Sequence, residues 1–293
     1  MEVMKSTLAK IFPLVCATTA NTSFASENMG EFIFHHISNS PKWSFFPGQS
    51  LHLPASFMLG PINLGITLHV LVILLSALVM LFFLIKSSKR NNLQPTNLFS
   101  HAIEAVVQFL RDQIVFPNLG EKDGRNWLPF FLTLFFFILT LNLVGLVPGM
   151  ATATSNINVT AALGIMVFFT FNFAGMKHNG IVHYMQNLVP KGIPAPVLLI
   201  LAPIEIVGLL IRPASLAIRL FANMTAGHII ILCLLSLISI LKSNPILDTL
   251  VVGGSIAFSL FIYTIELGVA FLQAYVFTLL TSLYIGSALH QEH

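Results

Sequence analysis

Two stretches near the C-terminus, Ala195 to Leu241 and Ile246 to Leu289, are each more than forty residues of almost unbroken apolar sequence. As one helix rising about 1.5 Å per residue, either would be at least about 60 Å long, twice the roughly 30 Å hydrocarbon core of a bilayer. No upright single span can hold them. Each block is either two ordinary spans or one long helix, tilted or broken, lying around another membrane object. Their interiors favour the long helix, because the interruptions are isolated: Pro213, Asn223 and Gly227 in the first, Gly253 and Gly254 in the second. Asn244 and Pro245 mark the turn between them.

The rest of the chain fits the same solvent. Of 293 residues, 56% are hydrophobic and 9% charged, against roughly 25% charged in soluble domains, and the mean hydropathy is +0.86. A soluble enzyme or a nucleic-acid binder does not fit this composition. The formal charge of +3 and pI near 9.0 report orientation in a bilayer, not a polyanionic partner. Two cysteines, Cys16 and Cys233, provide no disulfide framework or cysteine metal site.

Residues 1–25 carry Lys5 and Lys10, an apolar run from Ile11 to Ala20, and small residues up to Ala25, the three-part layout of a cleaved signal peptide. Residues 26–60 follow as an outer segment, and 61–293 form the membrane domain. The first span is Ile62 to Ile85, stopped by Lys86, Lys89 and Arg90. Ala102 to Ile114 mixes apolar and charged residues in the manner of an interfacial helix on the cytoplasmic side. An uncharged block then divides at Pro148, Gly149 and Thr152 to Asn156 into two spans, Leu128 to Val147 and Ile157 to Ala174, joined by an outer turn. The expected fold is thus an all-α polytopic membrane protein with three ordinary transmembrane helices, an interfacial helix and two long tilted helices forming a membrane hairpin. Outside the leader, Lys86, Lys89, Arg90, Arg111, Lys122, Arg125, Lys177 and Lys191 fall inside, and Lys42 and Lys242 outside, so the positive-inside rule puts the N-terminus out and the C-terminus in.

Within the long blocks stand Glu205, Arg212, Arg219 and Glu266, with His228, Asn223 and Gln273. Ionisable groups at membrane depth cost several kcal/mol and usually face a partner or an aqueous cavity. Glu205, Arg212 and Arg219 are seven apart, a spacing that keeps them on one stripe with about 20° of drift per step. Asn223 lies near that stripe, and His228 points to the opposite side. Glu266 and Gln273 are again seven apart on the next helix. Two polar tracks on antiparallel neighbours suit a proton route in two segments; the competing account is a set of salt bridges that only fixes packing. Asn142, and Asn158 with Thr160, read first as helix-packing polar residues and second as channel lining. His35, His36, His178 and His183 lack the paired spacing of metal or haem ligands. No HExxH, GxSxG or GxxxxGK[ST] is present, so no metal, cofactor or nucleotide site is expected.

The stretch Arg212-Pro-Ala-Ser-Leu-Ala-Ile-Arg219-Leu-Phe-Ala-Asn223-Met-Thr-Ala-Gly227-His228 resembles the signature of the subunit a family, the stator channel of the F-type ATP synthase membrane sector. Glu205 upstream, Glu266 and Gln273 downstream, Asn142-Leu-x-x-Leu-x-Pro148 and Asn158-Val-Thr160 extend the resemblance over roughly residues 30–290. Two departures stand out. His228 occupies a position where many bacterial members have Glu, and Glu266 one where they have His, the exchange found in mitochondrial members. Gly145 replaces an acidic residue of some bacterial members.

The resemblance implies a subunit without catalysis of its own. It would sit beside a ring of c subunits, with peripheral-stalk b subunits and the rest of the complex as partners; the leader favours a bacterial inner membrane over a mitochondrial one. Arg219 would face the ring carboxylate between two offset half-channels for protons, the outer lined by His228, Glu266, Asn223 and Gln273, the inner by Glu205 and Arg212. A secondary transporter or antiporter-like subunit is the alternative. It calls for an inverted repeat, and no second half repeats the arginine segment.

Overall fold

The computed structural model describes residues 42–46, 49–52, 57–59, 62–64, 67–88, 98–147, 150, 152–187, 195–240 and 245–290. The leader, His35, His36 and the proposed breaks at Pro148, Gly149 and Asn244 lie outside the described residues. Four short strands come first, β1 (Lys42–Phe46) with β2 (Gln49–His52) and β3 (Phe57–Leu59) with β4 (Ile62–Leu64), each pair antiparallel. Sequence reading did not anticipate them, and Ile62 begins a strand, not a span. Apolarity alone marks burial and does not separate a short strand from the start of a helix.

Helix α1 (Leu68–Ser88) follows, then α2 (Leu98–Phe109), which passes without a break into a π-helical segment, Leu110–Val115. The amphipathic element expected over Ala102 to Ile114 is therefore longer at both ends. Next comes α3 (Phe116–Gly145), interrupted by positive φ at Gly120, and a single 3-10 turn, Ala153–Ser155. Helix α4 (Ile157–Asn179) opens on Asn156, whose side chain accepts from the backbone N–H of Asn158 at 2.9 Å and so satisfies one of the helix's orphan donors. A short α5 (Ile181–Asn187) precedes the two long helices, α6 (Ala195–Ile240, 46 residues) and α7 (Pro245–Leu289, 45 residues).

Both long apolar blocks are single helices, as their lack of turn-rich breaks predicts, and each measures about 70 Å at 1.5 Å per residue. Among the described residues, Leu68–Lys86, Leu98–Gly145, Ile157–Asn179 and Thr249–Leu289 are long and apolar enough to cross a membrane. A helix satisfies its own backbone polar groups, which hydrocarbon cannot do for it.

The core forms where α3, α4, α6 and α7 meet, around Phe131, Ile138, Phe171, Leu220 and Phe277. Buried hydroxyls there stay within their own helix: Thr278 and Thr281 donate to the carbonyls of Ala274 and Phe277 at 2.8 and 2.7 Å. At the C-terminal end of α7, polar side chains tie the helices together. Asn118 donates to Ser282 Oγ at 2.8 Å, Asn179 donates to Ala288 O at 2.9 Å, and His290 donates to Leu119 O at 3.2 Å. Gly286 makes this approach possible, since a Cβ there would run into the carbonyl of Asn118. Backbone has no rotamer by which to yield, so Gly286→Ala is expected to lose about 1–3 kcal/mol. Thermal unfolding in detergent checks this, with the exposed Ser287→Ala as the neutral control.

Candidate functional site

Helices α6 and α7 run antiparallel, and the turn of α6 at Gly227 and His228 packs on the turn of α7 at Glu266. Gly227 is what lets them meet. A Cβ built on it would fall on the Glu266 carboxyl group, so any larger residue competes with that carboxyl for one space. With glycine present, Glu266 Oε1 comes within 3.6 Å of His228 Nδ1. That is ion-pair range but longer than a formed hydrogen bond.

The Glu266 side chain is 5% exposed and that of His228 26%. Neither Glu266 oxygen has a hydrogen-bond partner among the described residues. A buried carboxylate without donors is costly, so the group is stable only as a neutral acid or beside a positive imidazolium. Two states therefore compete, imidazolium with carboxylate and imidazole with acid, and they differ by the transfer of one proton.

The loop after α3 supplies the other wall. Thr152 Oγ1 lies 2.7 Å from His228 Nε2 and donates to Gly145 O at 3.1 Å. Thr154 Oγ1 donates to Asn142 Oδ1 at 2.9 Å, and Asn142 Nδ2 to Ala270 O at 3.3 Å, one turn along α7 from Glu266. Thr225, one turn before His228, donates to Ser155 O at 3.5 Å. The 3-10 turn is thus bonded to α3 and α6, and through Asn142 to α7, by uncharged groups. Met224, Ala270 and Leu146 seal the next layer.

Of the residues singled out from the sequence, His228, Glu266 and Asn142 gather around this turn, and Gln273 is buried two turns along α7 from Glu266. Glu205, Arg212, Arg219 and Asn223 are half-buried along α6. Arg212 stands 5.9 Å from the centre of the Tyr284 ring. Its charge also reaches Tyr184, where it opposes the burial that pushes the phenol's pKa up. Arg219 has no hydrogen-bond or ion-pair partner among the described residues. Asn158 is exposed at the start of α4, its backbone N–H donated to Asn156. No group of three possible metal ligands occurs among the described residues. Gly227 and the run Thr152 to Asn156 are read from the sequence only as breaks and family signature, not as site residues, although uncharged hydroxyls in a loop between two apolar helices are a signal for Thr152 and Thr154.

Long apolar helices around a buried carboxyl group with a half-buried imidazole beside it, and an arginine on the imidazole's helix that has no hydrogen-bond or ion-pair partner among the described residues, define a polytopic membrane protein with ionisable groups among its apolar helices. The family model described as ATP synthase A chain matches residues 69–286. "ATP synthase subunit a" of Chlorobium phaeobacteroides is 43% identical, over 91% of this chain and 78% of its own. The protein of that name from Pelodictyon phaeoclathratiforme is 41% identical, over 96% and 83%, and "ATP synthase subunit a 2" of Prosthecochloris aestuarii is 42% identical, over 94% and 84%. The chain belongs to the ATP synthase A chain family.

The contact at Gly227 is testable by a double-mutant cycle. Gly227→Ala should destabilise the protein, and adding Glu266→Ala, which removes the clashing carboxyl, should recover part of the loss. The expected coupling is roughly 0.5–3 kcal/mol in thermal unfolding; strictly additive effects would deny the contact.

Proposed function

We propose a division of labour among the residues of a chain that is the proton-channel stator subunit of an F-type ATP synthase. It sits in a bacterial inner membrane against a ring of c subunits, with b subunits of the peripheral stalk at its side, and residues 61–293 as the channel domain. Arg219 carries the central role. The single observation behind this is that its guanidinium, on a helix of apolar sequence, has no partner in its own chain among the described residues. A charge so placed needs a counter-charge from elsewhere, and the ring carboxylate supplies one. Guanidinium keeps its proton at any physiological pH. Arg219 can therefore attract a deprotonated ring carboxylate but cannot relay a proton, and it separates the two half-channels.

His228 and Glu266 form the proton-exchange unit of the outer half-channel, with Asn223 and Gln273 between them and the ring. Asn142 steadies its wall through Thr154, and Asn158 takes no direct part. Glu205 and Arg212 line the inner half-channel. Their seven-residue spacing with Arg219 supports one continuous polar stripe, and the aromatic support of Arg212 by Tyr284 leaves its charge in place along it. The length of α6 and α7 supports inclined helices that follow a curved partner, since upright they would overrun the hydrocarbon core. Catalysis belongs to other subunits of the complex.

Replacing Arg219 with Ala in the intact complex should abolish ATP-driven acidification of inverted membrane vesicles while the complex still assembles. Normal acidification by Arg219→Ala would refute this role.

A further inference from the structure

A second question is which nitrogen of His228 can exchange a proton, and the surrounding hydrogen bonds answer it. Thr152 Oγ1 meets His228 Nε2 at 2.7 Å and Gly145 O at 3.1 Å. The hydroxyl has one hydrogen to give, a carbonyl can only accept, and an imidazole nitrogen can do either. Gly145 is the last residue of α3, so its carbonyl is among the four that a helix leaves without an internal donor.

One arrangement satisfies both contacts. Thr152 gives its hydrogen to Gly145 O, and the N–H at Nε2 of His228 is donated to Thr152 Oγ1. The reverse arrangement leaves two acceptor oxygens facing each other with no hydrogen between them.

The geometry holds Thr152 to this task. The residue is 3% exposed, and its own carbonyl accepts from the backbone N–H of Ser155 at 3.1 Å and from Ser155 Oγ at 2.7 Å. Gly145 contributes by lacking a side chain, since a Cβ there would stand 2.7 Å from Thr152 Cγ2.

We propose that Thr152 is a positioning residue that keeps a proton on Nε2 of His228 and leaves Nδ1 as the exchanging nitrogen, facing Glu266. The inference rests on the reading of His228 and Glu266 as a proton-exchange unit. In the exchange, the N–H bond at Nδ1 of the imidazolium breaks and an O–H bond forms at Glu266 Oε1. Imidazolium and carboxylate become a neutral Nε2–H imidazole and a neutral acid, and the pair holds one exchangeable proton throughout. A small side-chain rotation brings the 3.6 Å separation to hydrogen-bond length. The ring is then not a two-ended wire. A proton does not enter at Nε2 and leave at Nδ1, so Glu266 is the group through which protons both reach and leave His228.

The test uses the intact ATP synthase in inverted vesicles. Thr152→Val, which keeps the shape and removes the hydroxyl, should lower ATP-driven proton pumping about two- to tenfold, the range one hydrogen bond's net contribution spans. Thr152→Ser should restore most of it. Nitrogen-15 NMR of histidine-labelled wild-type complex, with the His228 signal identified by its loss in His228→Gln, reports the tautomer directly. Neutral His228 protonated at Nε2 supports the proposal; protonation at Nδ1 overturns it, and this measurement decides even if Thr152→Val fails to assemble. Normal pumping by Thr152→Val also overturns it. Glu266→Gln, measured alongside, separates the two ideas. If it is inactive while Thr152→Val is normal, only the positioning role falls; if Glu266→Gln itself pumps normally, the proton-exchange reading falls with it.

Discussion

A carboxyl group buried inside an apolar helix pair is the constraint on which the rest of this site depends. Glu266 has almost no contact with solvent and no hydrogen-bond partner among the described residues. Its charge is tolerable only when a cation stands next to it or a proton sits on it. His228 is the neighbour that can be either, and the absence of a side chain at Gly227 brings the two together. The surrounding groups are arranged in consequence: Thr152 and Thr154 hold the imidazole and the α3 wall with neutral hydrogen bonds. No competing charge is brought within ion-pair distance of the pair among the described residues.

The same logic extends to Arg219 with opposite outcome. Glu266 has His228 within ion-pair range, and Arg219 has no hydrogen-bond or ion-pair partner among the described residues. In the role proposed for Arg219, that unmet charge makes docking against a rotor carboxylate favourable. On this reading one helix carries a charge answered by another chain and, nine residues on, a histidine answered within its own. Gly145 belongs to this account too. Its bare backbone leaves room for Thr152, so the loop that a side chain there would push aside reaches His228.

Much of this was legible from the residues. The boundaries of α6 and α7 follow the apolar runs to within a residue, because in long helices of this composition only Pro, Asn and charged clusters at the ends break the pattern. The stripe of Glu205, Arg212 and Arg219 follows from helical periodicity. What periodicity cannot supply is the meeting of residues on different helices. His228 and Glu266 are 38 positions apart, and the family resemblance, not spacing, put them in one route. Thr152 was hidden for a different reason, since a threonine in a turn reads the same whether it faces water or a half-buried imidazole. The strands before α1 and the π-helical segment were not visible either, because short apolar runs do not fix their own secondary structure, and a π-turn differs from an α-turn by one step of hydrogen bonding.

The central claim is that His228 and Glu266 act as one unit, and exchanging them tests it most directly. His228→Glu and Glu266→His each pair two like groups and should impair ATP-driven proton pumping. The double exchange restores one imidazole and one carboxyl in contact, and should pump better than either single variant. A double variant no better than the worse single would contradict the account.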